Sequence, residues 1–451
     1  MIHIIGGGLA GSEAAWQAAE LGADVTIHEM RPVRATAVHQ TDALAELVCS
    51  NSFRADKVDN AVGLIKEEMR RLGSIVMRAA DTARVPAGAA LAVDRHVFAE
   101  TVTRAVQSHP RIRVAREEIT AVPGPEWSPT IIATGPLTSD ALSQSIQQMV
   151  GEEHLAFYDA ISPIVLAESI DMSKVFRASR WGRNVWSPEP GAALEQSEDG
   201  DYLNCPMTKD EYDAFYTALT TAESATVHDF DNTKFFEGCL PIEVMAHRGE
   251  GTLRFGPMKP VGLKDPRTGR LPYAVVQLRQ DTLAGDHFSL VGFQTQIKWG
   301  DQARLLRMIP GLENAEFVRY GMVHRNTYIC GPKVLLPTWQ TKHRADLFFA
   351  GQVSGVEGYV ESAASGLIAG RNAAALAKGD TPQAPPRTTA IGSLAYYVSH
   401  ADPKTYQPTN ITHGIMPPLE QPPRDKMKKK MMIAERALAA LDSWMPVATN
   451  L

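Results

Sequence analysis

The chain has 451 residues, of which 44% are hydrophobic and 21% charged, and its formal net charge is −6. Because single hydrophobic cores rarely grow beyond about 250–300 residues, we expect more than one domain. The composition is globular, and no apolar run is long enough to span a bilayer. The acidic balance does not indicate a nucleic-acid binder, although a local basic surface could still bind phosphates.

The N-terminal segment predicts a strand, a turn, a helix and a second strand. An apolar run at residues 2–5 leads into a glycine-rich turn. An alanine-rich helix is then predicted over residues 12–21, and a strand over residues 25–29. This order is typical of a βαβ unit that binds a dinucleotide.

Three glycines in this turn, Gly6, Gly8 and Gly11, stand in G-x-G-x-x-G register. The first allows a tight turn, the second lets the backbone approach a pyrophosphate, and the third lets the helix pack closely on the strand. Glu29 ends the second strand, where a carboxylate can hydrogen-bond a ribose hydroxyl. The alternative is a glycine-rich turn in another kind of βαβ unit.

Two later segments extend this pattern. Residues 347–361 predict a strand and a glycine turn followed by a small-residue helix, and residues 130–135 predict a buried strand that ends in glycine. Three such turns favour an FAD-binding flavoprotein over a simple dehydrogenase. We therefore expect an α/β fold, with a Rossmann-type (glutathione-reductase-like) FAD domain assembled from residues 1–140 and 315–451. An α+β domain is expected to be inserted at residues 141–314.

Other elements follow from local periodicity and turn residues. In chain order we predict a helix at residues 61–71, a strand or turn and then a helix at 91–106, a strand at 111–115, a short strand at 163–166 and a helix at 202–218.

Four cysteines, Cys49, Cys205, Cys239 and Cys330, lie far apart in the sequence and form no C-x-x-C pair. This spacing suggests neither a metal site nor a disulfide framework, and reduced thiols are expected. Cys239 lies in a loop shaped by glycine and proline, where a reactive thiolate would be accessible. A buried structural role is the alternative for Cys239 and also for Cys49, whose neighbours are polar.

Basic and aromatic residues alternate over residues 248–279 and around Trp299, and residues 424–430 read RDKMKKK at the start of a predicted helix. Such surfaces could bind an anionic substrate, a folate or RNA. The alternatives are solvent-exposed loops and an ordinary helix start, and, for Trp299, a core aromatic.

Segments spread over almost the whole chain resemble the bacterial folate- and FAD-dependent tRNA (uracil-C5) methyltransferases, relatives of the glucose-inhibited division protein A family. The matching stretches include GGGLAGSEAAWQAAELG, HEMRP, LVCSNSFR, FEGCLPIEVMA, LRFGPMKPVGL, LVGFQTQIKWG and LFFAGQVSGVEGYVESAASGLIAG. One departure is ICGPK, where Cys330-Gly331 stands in place of an expected serine and adds a thiol near the flavin region.

The resemblance implies transfer of the one-carbon unit of 5,10-methylenetetrahydrofolate to C5 of uridine 54 in the tRNA T loop. Reduced FAD would be the reductant and methylene carrier, and NADH or NADPH would reduce it. Addition of a cysteine to C6 of uracil would make C5 nucleophilic. The resemblance places this cysteine at Cys239 and a second catalytic thiol at Cys49, with the two roles open to exchange.

The resemblance also implies the binding residues. Those expected along the FAD are Gly6, Gly8, Gly11, Glu29, Met30, Arg31, Gly135, Gly351, Gln352, Gly358 and Tyr359. Those expected at the folate are Trp299, Glu357 and, as a weaker candidate, Arg279.

Three alternatives remain open at this stage. They are the same chemistry on ribosomal RNA, an NAD(P)H or folate oxidoreductase without an RNA substrate, and a non-catalytic RNA-binding module that retains FAD. Because the N-terminus reads as a strand and not as a signal peptide, we expect a cytoplasmic protein. We expect tRNA and folate as partners, with no metal and no membrane, and the sequence does not give the oligomeric state.

Overall fold

A computed structural model describes residues 1–36, 38–151, 155–182, 200–223 and 240–444; at residues 155–160 and 323–327 it describes the backbone only. The apolar run at the N-terminus forms the central strand of a fully parallel sheet in the order β16-β7-β1-β2-β6. These strands are β1 (Ile2–Ile5), β2 (Val25–Glu29), β6 (Ile112–Arg116), β7 (Thr130–Ile132) and β16 (Leu347–Phe349).

Both ends of the chain contribute to this part of the fold. Strand β16 lies in the same sheet as β1, and helix α1 (Leu9–Glu20) packs against helix α11 (Tyr359–Ala377). A Cβ on Gly366 would lie 2.1 Å from the carbonyl oxygen of Ala10, and one on Gly370 would lie 2.3 Å from that of Ala14. The two glycines therefore let the helices touch backbone to backbone. Segments from both ends of the chain therefore pack together.

Other helices surround the parallel sheet or extend from it. They are α2 (Ala61–Arg71), α3 (Ile75–Thr82), α4 (Arg95–Ser108), α5 (Asp140–Val150), α10 (Gly331–Val334), α12 (Ala390–His400) and α13 (Lys426–Trp444). A small antiparallel sheet of β3 (Ser52–Ala55), β4 (Arg84–Val85) and β5 (Ala90–Val93) lies in the same part of the chain.

A second, antiparallel sheet has its own hydrophobic core and the strand order β10-β11-β12-β13-β9-β14. Its strands are β9 (Ile164–Leu166), β10 (Phe176–Arg177), β11 (Tyr202–Met207), β12 (Ala274–Gln280), β13 (His287–Leu290) and β14 (Phe317–Arg319). Its helices are α6 (Lys209–Thr221), α7 (Ile242–His247), α8 (Thr252–Phe255) and α9 (Trp299–Leu306). β8 (Leu155–Ala160) and β15 (Val323–Tyr328) form a two-stranded antiparallel ribbon.

The expected fold class is confirmed, and most predicted elements lie where the pattern placed them. Two differ. Helix α1 begins at Leu9, directly after Gly8, and so earlier than residue 12. The predicted helix at residues 202–218 is wrong in its first part, because Tyr202–Met207 is a strand with buried Leu203, Cys205 and Met207.

The helix that follows this strand begins at Lys209. Thr208 caps it, accepting a hydrogen bond from the N–H of Glu211, while the Glu211 carboxylate accepts one from the N–H of Thr208. This capping box is the physical stop between strand and helix.

Candidate active site

The glycine turn after β1 has the geometry that a dinucleotide requires. A Cβ on Gly11 would lie 1.9 Å from the carbonyl oxygen of Gly6, so the helix can approach the strand only without a side chain at this position. Gly6 has a φ of +102°, and a Cβ there would lie 2.6 Å from the oxygen of Ala133. A Cβ on Gly8 would meet no atom within 4 Å. Gly6 and Gly11 thus serve the fold, whereas Gly8 faces open space at the helix start, where N–H groups favour phosphate.

Glu29 is fixed at the end of β2 by hydrogen bonds to both carboxylate oxygens. The N–H of Gly7 donates to Oε2 at 2.8 Å, and Arg31 donates to Oε1 from its N–H at 3.0 Å and from its Nε at 2.9 Å. Burial favours a higher pKa for Glu29, but the hydrogen bonds and charge of Arg31 outweigh it and leave the pKa below its ordinary value. The carboxylate is therefore charged and oriented where a ribose would lie.

One cavity is lined by residues of both strand-to-helix turns and contains about 1000 Å³ of space, including space open to solvent. All the residues predicted to line the FAD border this cavity except Gly11 and Gly358. Val48, which precedes Cys49, also lines it, so the cavity extends from the glycine turn to the cysteine loop.

The second turn brings the predicted flavin-side and folate-side residues together. Gln352 donates a hydrogen bond from Nε2 to Oε2 of Glu357 at 2.6 Å, and the Glu357 side chain is buried. Asn410 donates to the carbonyl oxygen of Glu357 at 2.6 Å. Arg54 forms an ion pair with the buried Glu361, one turn further along. The carboxylate of Glu357 is thus held next to the cavity residue Gln352.

Tyr359 links this turn to the loop of Cys49. Its hydroxyl oxygen accepts hydrogen bonds from the N–H of Cys49 at 2.9 Å and from the N–H of Ser50 at 3.0 Å. Burial raises the pKa of Tyr359, so the side chain is a neutral phenol at physiological pH. Two residues that are 310 positions apart in sequence therefore meet at one end of the cavity.

Three arginines hold the residues on both sides of Cys49, two through backbone oxygens before it and one through side-chain oxygens after it. Arg95 donates to the oxygen of Leu47 at 3.1 Å, and Arg319 donates to the oxygen of Val48 at 2.6 Å. Arg279 donates from Nε to Oδ1 of Asn51 at 2.8 Å and from Nη2 to Oγ of Ser50 at 2.9 Å. We call residues 47–51, with these contacts, the cysteine loop.

Only one of the three guanidinium groups has a carboxylate partner among the described residues. Arg95 forms two 2.8 Å hydrogen bonds with Asp281, and both side chains are buried. Burial lowers the pKa of Arg279 and of Arg319 from the ordinary arginine value, which is high enough for both groups to stay charged at neutral pH. A negative charge that reaches the cysteine loop therefore meets excess positive potential.

Sequence reasoning anticipated some of this site and missed other parts. It singled out Cys49, Glu357 and Tyr359, which the fold brings to one region, and it did not identify Arg95 or Arg319. Neither arginine belongs to a recognisable sequence motif, and both contact residues that are far away in the chain.

Trp299 is the first residue of α9, and it is 62% exposed, with its ring stacked 6.3 Å from that of Tyr320. The alternative of a core aromatic is therefore wrong. Cys239, the predicted nucleophile, lies outside the described residues.

Two further cysteines are buried. Cys205 lies in the core of the antiparallel sheet, where burial raises the pKa of its thiol. Cys330 lies at the start of α10 in a cluster with Tyr328 and Tyr406. Among the described residues, no group of His, Cys, Asp and Glu side chains could hold a metal ion. Within the residues that the structure describes, no helix is both long and apolar enough to cross a membrane.

The fold and the site define a class: an FAD-binding, glutathione-reductase-type flavoprotein fold, with a cysteine loop at one end of the dinucleotide cavity. Residues 1–381 match the family model of glucose inhibited division protein A. The chain is also 58% identical to the methylenetetrahydrofolate–tRNA-(uracil-5-)-methyltransferase TrmFO of Symbiobacterium thermophilum, over 99% of this chain and 97% of that protein. The corresponding protein of Anoxybacillus flavithermus is 56% identical, over 98% of this chain and 99% of the relative.

The chain therefore belongs to the methylenetetrahydrofolate–tRNA-(uracil-5-)-methyltransferase family, within the wider glucose inhibited division protein A family. Among solved structures, GidA of Aquifex aeolicus matches with a TM-score of 0.67 and 17% identity, over 98% of this chain and 73% of that one. At this identity the match supports the fold alone.

Proposed function

We propose that this chain transfers the one-carbon unit of 5,10-methylenetetrahydrofolate to C5 of uridine 54 in the tRNA T loop, forming 5-methyluridine. Family membership supports the enzyme class. The observation that carries the proposal is the cysteine loop, which Tyr359 and three arginines hold at the end of a dinucleotide cavity.

Electron balance explains why this reaction needs a flavin. A methylene unit is two electrons more oxidised than a methyl group, so a two-electron reductant must complete the transfer. The chemistry that FAD would supply here, when bound and reduced, is the two electrons and a carrier for the one-carbon unit. The open space at Gly8, the fixed carboxylate of Glu29 and the cavity between the two glycine turns fit an extended dinucleotide. NADH or NADPH is the proposed source of the electrons.

We assign Cys239 as the nucleophile that adds to C6 of the uracil and so gives C5 its nucleophilic character. Cys49 is the proposed partner thiol, which removes the C5 proton after the new bond has formed. Elimination then breaks the bond between Cys239 and C6 and restores the C5–C6 double bond of the uracil. The position of Cys49 supports this role, because its neighbour Val48 and its hydrogen-bond partner Tyr359 both line the cavity. The target base would leave the folded T loop by flipping outward.

Trp299 and Glu357 are the proposed folate contacts. Trp299 offers an exposed aromatic face for the pterin ring, and Glu357 offers a carboxylate that pairs with the donor edge of a pterin. Arg279 already donates to Asn51 and Ser50, so we propose that it acts on the folate through the cysteine loop. We retain residues 141–314 as the proposed substrate domain, and a cytoplasmic location as the one that suits tRNA modification.

The proposal is tested with unmodified tRNA transcript, methylenetetrahydrofolate labelled in its one-carbon unit, and NADPH. Label is expected in 5-methyluridine at position 54, and a transcript with cytidine at that position is expected to stay unlabelled. Flavin turnover without label in tRNA would contradict the proposal. Ribosomal RNA, tried next, would separate the same chemistry on another RNA from a simple oxidase.

A further inference from the structure

One end of helix α13 carries an exposed basic strip, which we define as Arg424, Lys426, Lys428, Lys429 and Lys430. All are exposed except Lys430, which is half-buried. None of them takes part in an ion pair with another described residue, although the same helix pairs Asp442 with Arg71 at its other end.

The strip is placed where a helix least tolerates positive charge. Cations at a helix N-terminus oppose the helix dipole, and lysines at positions i and i+4, such as Lys426 and Lys430, repel each other. Asp425 is the single acid among these residues, and it caps the helix by accepting a hydrogen bond from the N–H of Lys428 at 2.6 Å. The chain as a whole has a net charge of −6, so this local concentration of positive charge is suited to binding an anionic partner.

The helix is a fixed platform for the strip. Ile433, Ala434, Ala437 and Leu441 are buried on its opposite face in the main hydrophobic core. Arg436 donates to the carbonyl oxygens of Pro417 and Pro418 at 2.6 and 2.8 Å, which ties the helix to the preceding segment. The lysines are therefore presented at a defined place and not on a loose tail.

A short segment connects the helix to the candidate active site. Asn410 donates to the carbonyl oxygen of Glu357 at 2.6 Å, and seven residues later Pro417 accepts a hydrogen bond from Arg436 of α13 at 2.6 Å. Seven residues span at most about 25 Å, so this segment holds the helix that carries the strip near the proposed folate residue.

We propose that the basic strip binds phosphates of the tRNA and positions the T loop over the cysteine loop. This inference rests on the proposed function and adds the surface that receives the substrate. Five helical residues rise by about 7 Å, and RNA strands carry closely spaced charges, so the strip and its flexible side chains can cover two or three phosphates. Contacts to phosphate would fix the orientation of the tRNA without reading its sequence.

The test compares two triple variants with the unmodified protein, each loaded with FAD. In the first, Lys426→Ala, Lys428→Ala and Lys429→Ala remove three exposed charges of the strip. In the charge-matched control, Arg104→Ala, Arg113→Ala and Lys378→Ala remove three exposed charges elsewhere, none of them in a described ion pair. Dissociation constants for tRNA transcript are measured between low and moderate salt.

The strip variant is expected to bind tRNA about 10- to 100-fold more weakly at 0.1 M salt. The slope of its plot of log K against log salt is expected to be smaller in magnitude by about 2, because each lost phosphate contact removes roughly 0.7 from the slope. The control is expected to differ from the unmodified protein by less than threefold. Replacement of the same three lysines by arginine is expected to preserve binding, since charge alone is required.

Equal binding by the strip and control variants, with normal tRNA methylation by the unmodified protein, would overturn the inference and leave the proposed function standing. Absence of tRNA binding or methylation by the unmodified protein would instead overturn the proposed function, and the inference with it. Loss of bound FAD in the strip variant alone would assign the lysines a structural role and would also overturn the inference.

Discussion

Replacement of Asp281 by Asn tests whether the buried ion pair with Arg95 supports the cysteine loop. The two side chains are 9% and 4% exposed, and both hydrogen bonds between them measure 2.8 Å. Removal of one partner leaves a guanidinium charge buried without compensation, which costs about 3–5 kcal/mol. Asn can still accept one hydrogen bond, so we expect a loss near the lower figure, about 3 kcal/mol.

The matched control is Asp442→Asn, which breaks the ion pair with Arg71 between α13 and α2. In this pair the side chains are 50% and 33% exposed, so its loss should cost only about 0–1 kcal/mol. Free energies of unfolding are measured by urea titration of both variants and the unmodified protein, followed by circular dichroism.

Asp281→Asn should also lower the rate of methylation, because Arg95 donates to the oxygen of Leu47 and so helps to hold the cysteine loop. The reasoning is refuted if Asp281→Asn is no less stable than Asp442→Asn. Equal stability would mean that water reaches Arg95 or that another carboxylate replaces Asp281.

Three further predictions concern the fold, the pH dependence and the folate. Gly11→Ala should prevent stable folding and retention of flavin, since the added Cβ would lie 1.9 Å from a backbone oxygen. Gly8→Ala should fold normally, because its Cβ would meet no atom within 4 Å, but it should lose affinity for FAD. The flavin absorbance of the purified variants checks both predictions. Burial raises the pKa of Glu68 to about 7, so the folded protein holds a proton that the unfolded chain has lost, and stability should fall by about 3 kcal/mol as pH rises from 4.5 to 7. Urea titrations over this range should show that the free energy of unfolding falls with pH in the unmodified protein and falls less steeply in Glu68→Gln. Equal pH slopes in the two proteins would contradict this role of Glu68. Trp299→Ala should change the free energy of unfolding by no more than about 0.5 kcal/mol, because the side chain is 62% exposed. The same variant should raise the KM for methylenetetrahydrofolate about tenfold, and an unchanged KM would remove Trp299 from the folate site.

The parallel sheet could be predicted because its signals are local. The contact between Gly11 and Gly6 spans five residues, and the steric demand that it creates is visible as a glycine pattern in one short segment. The later turns repeat the same combination of buried strand, glycine and helix. Chain order and the rules for parallel sheets then leave few arrangements.

The cysteine loop could be predicted only in part, because it depends on distant contacts. Arg95 and Asp281 are 186 positions apart, and neither segment shows a pattern that points to the other. The strand Tyr202–Met207 was missed for another reason. It contains a proline and a buried asparagine, Asn204, which weaken the strand signal, and a strong helix cap follows directly.

The exposure of Trp299 could not be predicted either. An aromatic residue at a helix start is compatible with a core position or with a binding surface, and only the packing around α9 distinguishes them.

The central claim is that this chain methylates tRNA with electrons from its own flavin. The most direct test is a single turnover in which the enzyme is first reduced chemically, then mixed with unmodified tRNA and labelled methylenetetrahydrofolate without NADH or NADPH. We predict up to one labelled 5-methyluridine for each reduced flavin, with tetrahydrofolate as the folate product, and no label when the flavin starts oxidised. Label from oxidised enzyme, or dihydrofolate as the product, would show that the folate itself supplies the electrons and would contradict the account.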